Sequence, residues 1–423
     1  MMATPTAQPG GLRERLLYLI ELHRRGNAEQ AIQGYQEILR VEPAQFDARR
    51  LLGAALLHQD LPERALPEIE RALQLRSDVA EAWALHGVAL GFLGRHGAAV
   101  ASYERALKLQ PANPSFRMNH AMLLLLLGQL ESGWDGWEMR LRPMGQSAPR
   151  MAAGVPVWDG MQALAGKTLL LVAEQGLGDT IHFCRYVPLL AQRGVRVLLT
   201  VPPPLRRLFG SLDGVAHLID DGETVAGFDS QCLLLSLPHR FRTALSTIPA
   251  DVPYLAAPPD RVSWWQAHLG PARRPRVGLA YSGNPNHGND RNRSIPVDRL
   301  EPLAGAGVEI HLLQNLVRDE DSAWLQRLGI VDHRAELRDF AETAALAACM
   351  DAIVSVDTAA AHLAGALNLP LLLLLPAVPD WRWMLGRDDS PWYPSARLIR
   401  QRTAGDWVEP LRHAADALGS SFR

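Results

Sequence analysis

Short, continuous apolar runs alternate with helical patterns over the last two thirds of the chain, whereas the first third shows helical periodicity alone. The clearest unit spans residues 351–376. Ala352–Val356 is an apolar, β-branched run of the kind that forms a buried strand. Asp357-Thr358 breaks it, residues 359–367 read as a helix rich in small side chains, and Asn368 and Pro370 stop that helix. Leu371–Leu375 is a second run of strand length. Strand, polar break, helix, strand is a βαβ unit, and open α/β sheets take ligands beyond the carboxyl ends of their strands. The first-turn amides of such a helix lack internal partners and carry the positive end of its dipole, which suits a phosphate. Small side chains at Ala359, Ala360 and Ala361 let a diphosphate approach the backbone, and His362 stands one turn in, where it can donate to it. Asp357-Thr358 reads equally well as an ordinary helix cap.

Upstream the sequence repeats itself. Ala31, Ala65 and Ala99 recur at a step of 34 residues, as do Tyr35, Ile69 and Tyr103, and then Gly53, Gly87 and Ala121. Glu-Arg-Ala-Leu at 70–73 returns at 104–107. The step is similar to the helix–turn–helix period of tetratricopeptide repeats. Small residues mark where two helices approach, and Pro43 and Pro111 end second helices because proline cannot continue the ladder. Three repeats are clear over 28–127, residues 12–25 read as an unpaired first helix, and the Trp-rich 133–140 reads as a closing helix that covers the exposed end. Residues 1–11, rich in Pro, Gly and Thr, read as disordered, and 12–150 as the repeat module. Its concave surface is expected to hold a protein partner or an acceptor, with a spacer or dimerisation arm as the alternative.

Residues 151–270 read as a first α/β unit. A strand-type run at 167–172 ends in Glu174-Gln175-Gly176-Leu177-Gly178-Asp179-Thr180, followed by a helical pattern over 181–192 and a strand over 195–201. Gly176 and Gly178 permit a tight turn and close ligand approach. The dinucleotide fingerprint is absent, since no third glycine follows at its offset. Asp179 reads as a helix cap or as a base facing a cleft. Further strands are expected at 216–219 and 231–237. A basic, proline-containing hinge at 271–275 opens a second α/β unit, 271–423. There the strand 276–281 leads into a long polar loop holding Gly283, Asn284, Arg291, Arg293 and Ser294. Two arginines at a strand's carboxyl end suit phosphate capture; a solvated surface loop is the rival reading. The stretch from Trp381-Arg382-Trp383 to Trp392-Tyr393-Pro394 can stack on a base and hold phosphates, or anchor its loop in the core. Asp319-Glu320-Asp321 reads as the charged first turn of a helix, not as a metal site.

Composition narrows the classes. At 423 residues two or three domains are expected, and a net charge of −2 argues against a nucleic-acid binder or a polybasic membrane binder. Cys184, Cys232 and Cys349 show neither C-x-x-C nor metal spacing and suit a reducing cytoplasm. No signal peptide is expected from residues 1–10, and no apolar run approaches a transmembrane span. The expected location is cytoplasmic, or peripheral at the inner membrane face.

Two Rossmann-like units joined by a hinge resemble the GT-B glycosyltransferase architecture, and specific residues sharpen the likeness. Asp357-Thr358-Ala359-Ala360-Ala361-His362-Leu363-Ala364 resembles the Asp-Thr-Gly/Ala-x-x-His-Leu-Ala signature of the lipopolysaccharide heptosyltransferase family, glycosyltransferase family 9. In that family this helix start holds the donor diphosphate. Gly178-Asp179 resembles the family's Gly-Asp turn, whose aspartate is the proposed general base. Arg293-Ser294-Ile295-Pro296 resembles its basic-x-Trp-Pro element, with Ile295 in place of Trp. Residues 151–423 together resemble bacterial proteins that join tetratricopeptide repeats to such a transferase. Those proteins carry Glu-Gln-Gly-Leu-Gly-Asp-Thr, Asp-Arg-Asn-Arg-Ser and Ser-Pro-Trp-Tyr-Pro in this order. The sequence departs from them at Tyr281, where Trp is common, and at Gln314-Asn315, where Leu-Gln followed by Lys is common.

The resemblance implies an α + α/β chain: a tetratricopeptide α-solenoid, then an acceptor domain at 151–270 and a nucleotide-sugar donor domain at 271–423. It implies a metal-independent, inverting transfer of a sugar from a nucleotide sugar to a hydroxyl on a glycan, lipid or protein, with no cofactor. Asp179 would be catalytic. Arg291, Arg293, Ser294, Asp357, Thr358, Ala359, Ala360 and His362 would hold the donor. Gly176, Gly178, Gly283, Asn284, Gln314 and Arg382 complete the candidate lining. The alternative is a non-catalytic repeat scaffold with a degenerate sugar-nucleotide domain.

Overall fold

The computed structural model describes residues 11–141, 151–220, 223 and 225–422. Residues 1–10 of the expected disordered terminus, and 142–150 at the end of the expected repeat module, lie outside them. The chain divides into a helical unit and an α/β unit.

The helical unit contains α1 (Leu12–Arg24), α2 (Ala28–Val41), α3 (Phe46–His58), α4 (Pro62–Leu75), α5 (Ala80–Phe92), α6 (His96–Leu109), α7 (Pro114–Leu126) and α8 (Leu130–Trp137). They form four hairpins, each closed where a glycine of one helix faces a side chain or carbonyl of the other. A Cβ added to Gly53 would lie 2.4 Å from Ile69 Cγ1, and one on Gly87 2.9 Å from Tyr103 Cε2. On Gly136 it would lie 2.6 Å from the Arg117 carbonyl oxygen. The alanines at the 34-residue step, Ala31, Ala65 and Ala99, are fully buried. The first helix is not unpaired. It packs on α2 with the roles exchanged: the glycine is Gly34 on the second helix, and Leu19 of α1 fills the space beside it. Because Leu19 stands 34 residues before Gly53, the small-residue signal expected in a first helix is missing there.

The α/β unit holds two parallel sheets. The first has strands β1 (Thr168–Val172), β2 (Arg196–Thr200), β3 (Val215–Ile219) and β4 (Ser230–Leu233), in the order β3-β2-β1-β4. The second has β5 (Arg276–Ala280), β6 (Glu309–Leu312), β7 (Ala352–Val356), β8 (Leu371–Leu375) and β9 (Ala396–Arg400), in the order β6-β5-β7-β8-β9. Both faces of such sheets are covered, which is why β1, β7 and β8 read as nearly unbroken apolar runs. In each sheet the strand order reverses beside the first strand, between β1 and β4 and between β5 and β7. That reversal opens a crevice at the carboxyl ends of the strands.

Four features differ from the sequence expectation. The strand expected at 231–237 stops at Leu233 and turns into a 3-10 segment, Leu234–Ser236, because its partner β1 ends at Val172, the residue paired with Leu233. The edge strand β9, with arginines at two of its five positions, is too basic to stand out from its loop. The helix Val408–Ser421, not anticipated either, places Leu411, Ala414 and Leu418 in the same core as Val277, Ile310 and Val354. The helix Pro259–Leu269 was grouped by sequence with the first α/β unit, yet it packs on the helix Phe340–Ala347 that precedes β7. Trp265 is fully buried there and donates its indole N–H to Glu342 Oε2 at 3.2 Å, while Arg261 Nε donates to Glu342 Oε1 at 2.9 Å.

Candidate active site

The loops following β1, β5, β7 and β8 converge at the facing crevices of the two sheets. After β1, the helix Leu177–Phe183 starts one turn earlier than the expected 181, so Asp179 lies in its first turn. Asp179 folds back to accept the Gly176 N–H on Oδ2 at 3.0 Å, which is the capping role. Its other oxygen, Oδ1, accepts Arg382 Nη2 at 2.5 Å from the loop after β8. Arg382 is buried and also donates Nη1 to Asp380 Oδ1 at 2.9 Å. Its guanidinium lies over the Trp381 ring, 4.5 Å from the centroid. Burial works against its charge, but Asp380 and Asp179 outweigh that and hold it protonated.

After β7, Thr358 is the N-cap of the helix Ala359–Ala366, and its side chain makes no cap bond. The Thr358 hydroxyl faces Ser355 Oγ at 3.2 Å instead. The amides of Ala361 and His362 turn back to the Thr358 carbonyl, at 3.1 and 3.3 Å. Those of Ala359 and Ala360 head the helix without a side-chain cap and suit an anion. From the loop after β5, Arg293 Nη1 donates to the Asp357 carbonyl at 2.9 Å and so stands beside this helix start. Gly283 makes room for it: a Cβ there would lie 2.5 Å from Arg293 Nη2 and 2.8 Å from Asp290 Oδ1. Burial, then the charge of Asp380, raises the Asp357 carboxyl to about 7 against the opposing pull of Arg382 and Arg293. Asp357 can therefore give up its negative charge near neutral pH.

Gly178 sits where the helices starting at Leu177 and Ala359 touch. A Cβ on it would lie 2.9 Å from His362 Cδ2 and 3.3 Å from the Ala359 Cα. Behind that contact is a buried polar cluster joining the lobes. The Tyr393 hydroxyl is 2.9 Å from His182 Nδ1 and 2.9 Å from His362 Nδ1. Arg185 Nη1 donates to the Trp392 carbonyl at 2.7 Å, and Nη2 to Tyr254 Oη at 3.0 Å.

Several expected roles change on this geometry. His362 was expected to help neutralise a diphosphate, but it is a neutral core ring. Burial, with Arg382, Arg185 and Arg293 nearby, holds its pKa well below the ordinary value, and it stacks on Trp383. The Ser294 hydroxyl is committed to Asp290 Oδ1 at 2.9 Å and to the Gly283 amide at 3.1 Å, so it braces the loop. Gln314 uses both ends of its amide on Tyr281, Ser282 and Leu316, tying the ends of β5 and β6. Asn284 is exposed and closes a local turn with the Asn286 amide, and Arg291 is exposed on the one-turn helix Asp290–Arg293. Trp381, Trp383, Trp392 and Tyr393 are all buried, so the anchoring reading holds for that loop.

Sequence reading passed over Asp380, His182 and Arg185. Asp179, His182 and Arg185 stand three residues apart, a helical spacing that places them along one side. It also passed over His287, lowered by burial and Arg293 while Asp290, Asp179 and Asp380 oppose the shift. Among the described residues no group of three or more His, Cys, Asp or Glu side chains is arranged to hold a metal ion, and no helix is long and apolar enough to cross a membrane.

Residues 80–113 match the tetratricopeptide repeat family, and residues 336–404 match glycosyltransferase family 9 (heptosyltransferase). The second match takes in β7, the helix start at Ala359, Arg382 and Tyr393. The chain thus combines tetratricopeptide repeats with a glycosyltransferase family 9 domain on a fold of parallel-sheet α/β lobes. Among individual proteins, it is 28% identical over 434 residues to protein FlbA of Caulobacter vibrioides, covering 95% of this chain and 71% of that protein. Among solved structures, it is 17% identical to the E. coli ADP-heptose lipopolysaccharide heptosyltransferase II, with a TM-score of 0.41 over 60% of this chain and 99% of that one. A glycosyl transferase family 9 protein from Veillonella parvula is 10% identical, with a TM-score of 0.44 over 57% and 88% of the two chains.

Proposed function

We propose that this glycosyltransferase moves a sugar from a nucleotide-sugar donor to an acceptor hydroxyl without a metal ion, and that the repeats bind the acceptor or a partner protein. The observation that carries the reading is a juxtaposition. The Gly178-Asp179 turn after the first sheet's β1 touches the uncapped helix start at Ala359, and Arg293 stands beside that start at the carboxyl ends of the second sheet. The donor diphosphate would lie on the Ala359 and Ala360 amides beside Arg293, where fixed dipoles and charge offset its leaving-group charge. Asp357 would take up a proton as that charge arrives. Asp179 would accept the proton of the acceptor hydroxyl as its oxygen bonds to the anomeric carbon and the bond to the nucleoside diphosphate breaks. Direct displacement of this kind inverts the anomeric centre.

The test is a melting-temperature screen of nucleotide sugars and nucleoside diphosphates in the presence of a chelator, since a ligand that binds only the folded state raises the melting temperature. One nucleotide class is expected to stabilise the wild type. Asp179→Asn is expected to keep that stabilisation and lose transfer by roughly 10²- to 10⁴-fold. A panel without a single stabiliser would leave the scaffold reading in place, and full turnover in Asp179→Asn would remove the base assignment.

A further inference from the structure

Arg382 lies among donor-type residues in the sequence, yet its terminal nitrogens point to carboxylates: Nη2 to Asp179 and Nη1 to Asp380. The Arg382 backbone amide adds a third tie to Asp380 Oδ1 at 3.0 Å. The side chain is 7% exposed, with its guanidinium carbon 4.5 Å from the Trp381 ring centroid and 5.4 Å from that of Phe183, so it has little freedom to turn towards another anion. A phosphate would have to displace a carboxylate from a buried, hydrogen-bonded pair, which is costly. The helix amides at Ala359 and Ala360 meet a diphosphate without such a loss, and Arg293, 15% exposed, pairs with Asp290 only through Nε at 3.5 Å. On the other side of the pair, Asp179 has its second oxygen fixed by the Gly176 amide. The carboxylate is thus clamped from both lobes.

We propose that Arg382 is a positioning residue for Asp179, aiming the base from across the lobe boundary, with Asp380 in turn holding Arg382. The inference rests on the transferase reading above. The two arginines of the site then have separate roles, Arg293 serving the donor and Arg382 the base. Arg382 therefore acts on the chemical step and not on donor affinity.

The experiment compares Arg382→Ala, Arg382→Lys and Asp380→Asn with the full-length wild type. It uses the donor found in the melting screen and reads kcat, KM and the donor Kd by calorimetry. Arg382→Ala is expected to lower kcat by roughly 10²-fold, the cost of a misplaced reacting group, while donor Kd stays at the wild-type value. Added guanidinium ion should recover part of the Arg382→Ala loss by filling the vacated planar site, whereas sodium at equal ionic strength should not. If Arg382→Ala melts early, Arg382→Lys carries the comparison. Its ammonium lacks the fork needed to hold both carboxylates and should show the same kcat-selective loss in smaller measure. A weakened donor Kd with kcat intact would assign Arg382 to the donor and overturn the proposal, as would full activity in both variants. A wild type that neither binds nor transfers from any donor overturns the transferase reading, and this inference with it.

Discussion

Tyr393→Phe isolates one atom of the lobe junction. The ring stays, so the close contact beneath it is unchanged; only the hydroxyl between His182 Nδ1 and His362 Nδ1 is removed. A hydroxyl has one proton, so it can donate to at most one of the two rings, and the other must present Nδ1–H to it. Deletion costs about 0.5–1.5 kcal/mol for the lost bond to the accepting ring, and strands a buried N–H on the donating ring at about 1–3 kcal/mol. His182 cannot escape by moving its proton, because its Nε2 is also buried without a hydrogen-bond partner. His362 has only a weak refuge, with Asp357 Oδ1 3.9 Å from its Nε2. The total, about 1.5–4.5 kcal/mol, corresponds to a fall in the melting temperature of roughly 3–9 °C for an α/β unit of this size. Differential scanning calorimetry at neutral pH measures it directly. A variant melting within about 1 °C of wild type would refute the argument that this hydroxyl is the partner of both imidazoles.

Two further outcomes concern the buried histidines and the packing around Tyr393. His182 and His362 are kept neutral in the folded state by burial first and then by neighbouring arginines, and burial with His333 lowers His311 to about 4. Below the ordinary histidine value of about 6.5 the unfolded chain takes up protons that these folded rings refuse. Stability should therefore be complete above that pH and fall on acidification, by up to about 1.4 kcal/mol per pH unit for each ring. Urea midpoints at neutral pH and at mild acidity would expose the slope, and coincident midpoints would contradict it. Gly365→Ala drives a Cβ to within 2.2 Å of Tyr393 Cδ1, in a ring that has no room to withdraw. It should destabilise by about 1–3 kcal/mol in calorimetry, and an unchanged melting temperature would mean the junction is looser than its packing indicates.

The parts of the site that were legible from sequence are those that local pattern encodes. A buried strand, a two-residue break and a run of small side chains define the helix start at Ala359, and two arginines after a strand mark Arg293. Roles that depend on distant surroundings were not legible. His362 reads as a cation on its own helix and becomes a neutral core ring because burial and three arginines from other segments surround it. Ser294 and Gln314 carry donor-type side chains, but the loops they join consume every bond they offer.

The sequence by itself determined the repeat step, the small residues that let paired helices approach and the apolar runs of the parallel sheets, because each expresses a short-range geometric period. Only the tertiary structure decided which chemistry meets which. Asp179 and Arg382 stand 203 residues apart, and His182 and Tyr393 stand 211 apart. Their pairing comes from docking the turn after β1 against the loop after β8. No periodicity in the chain encodes that contact, since periodicity records which face of an element is buried but not which distant element covers it.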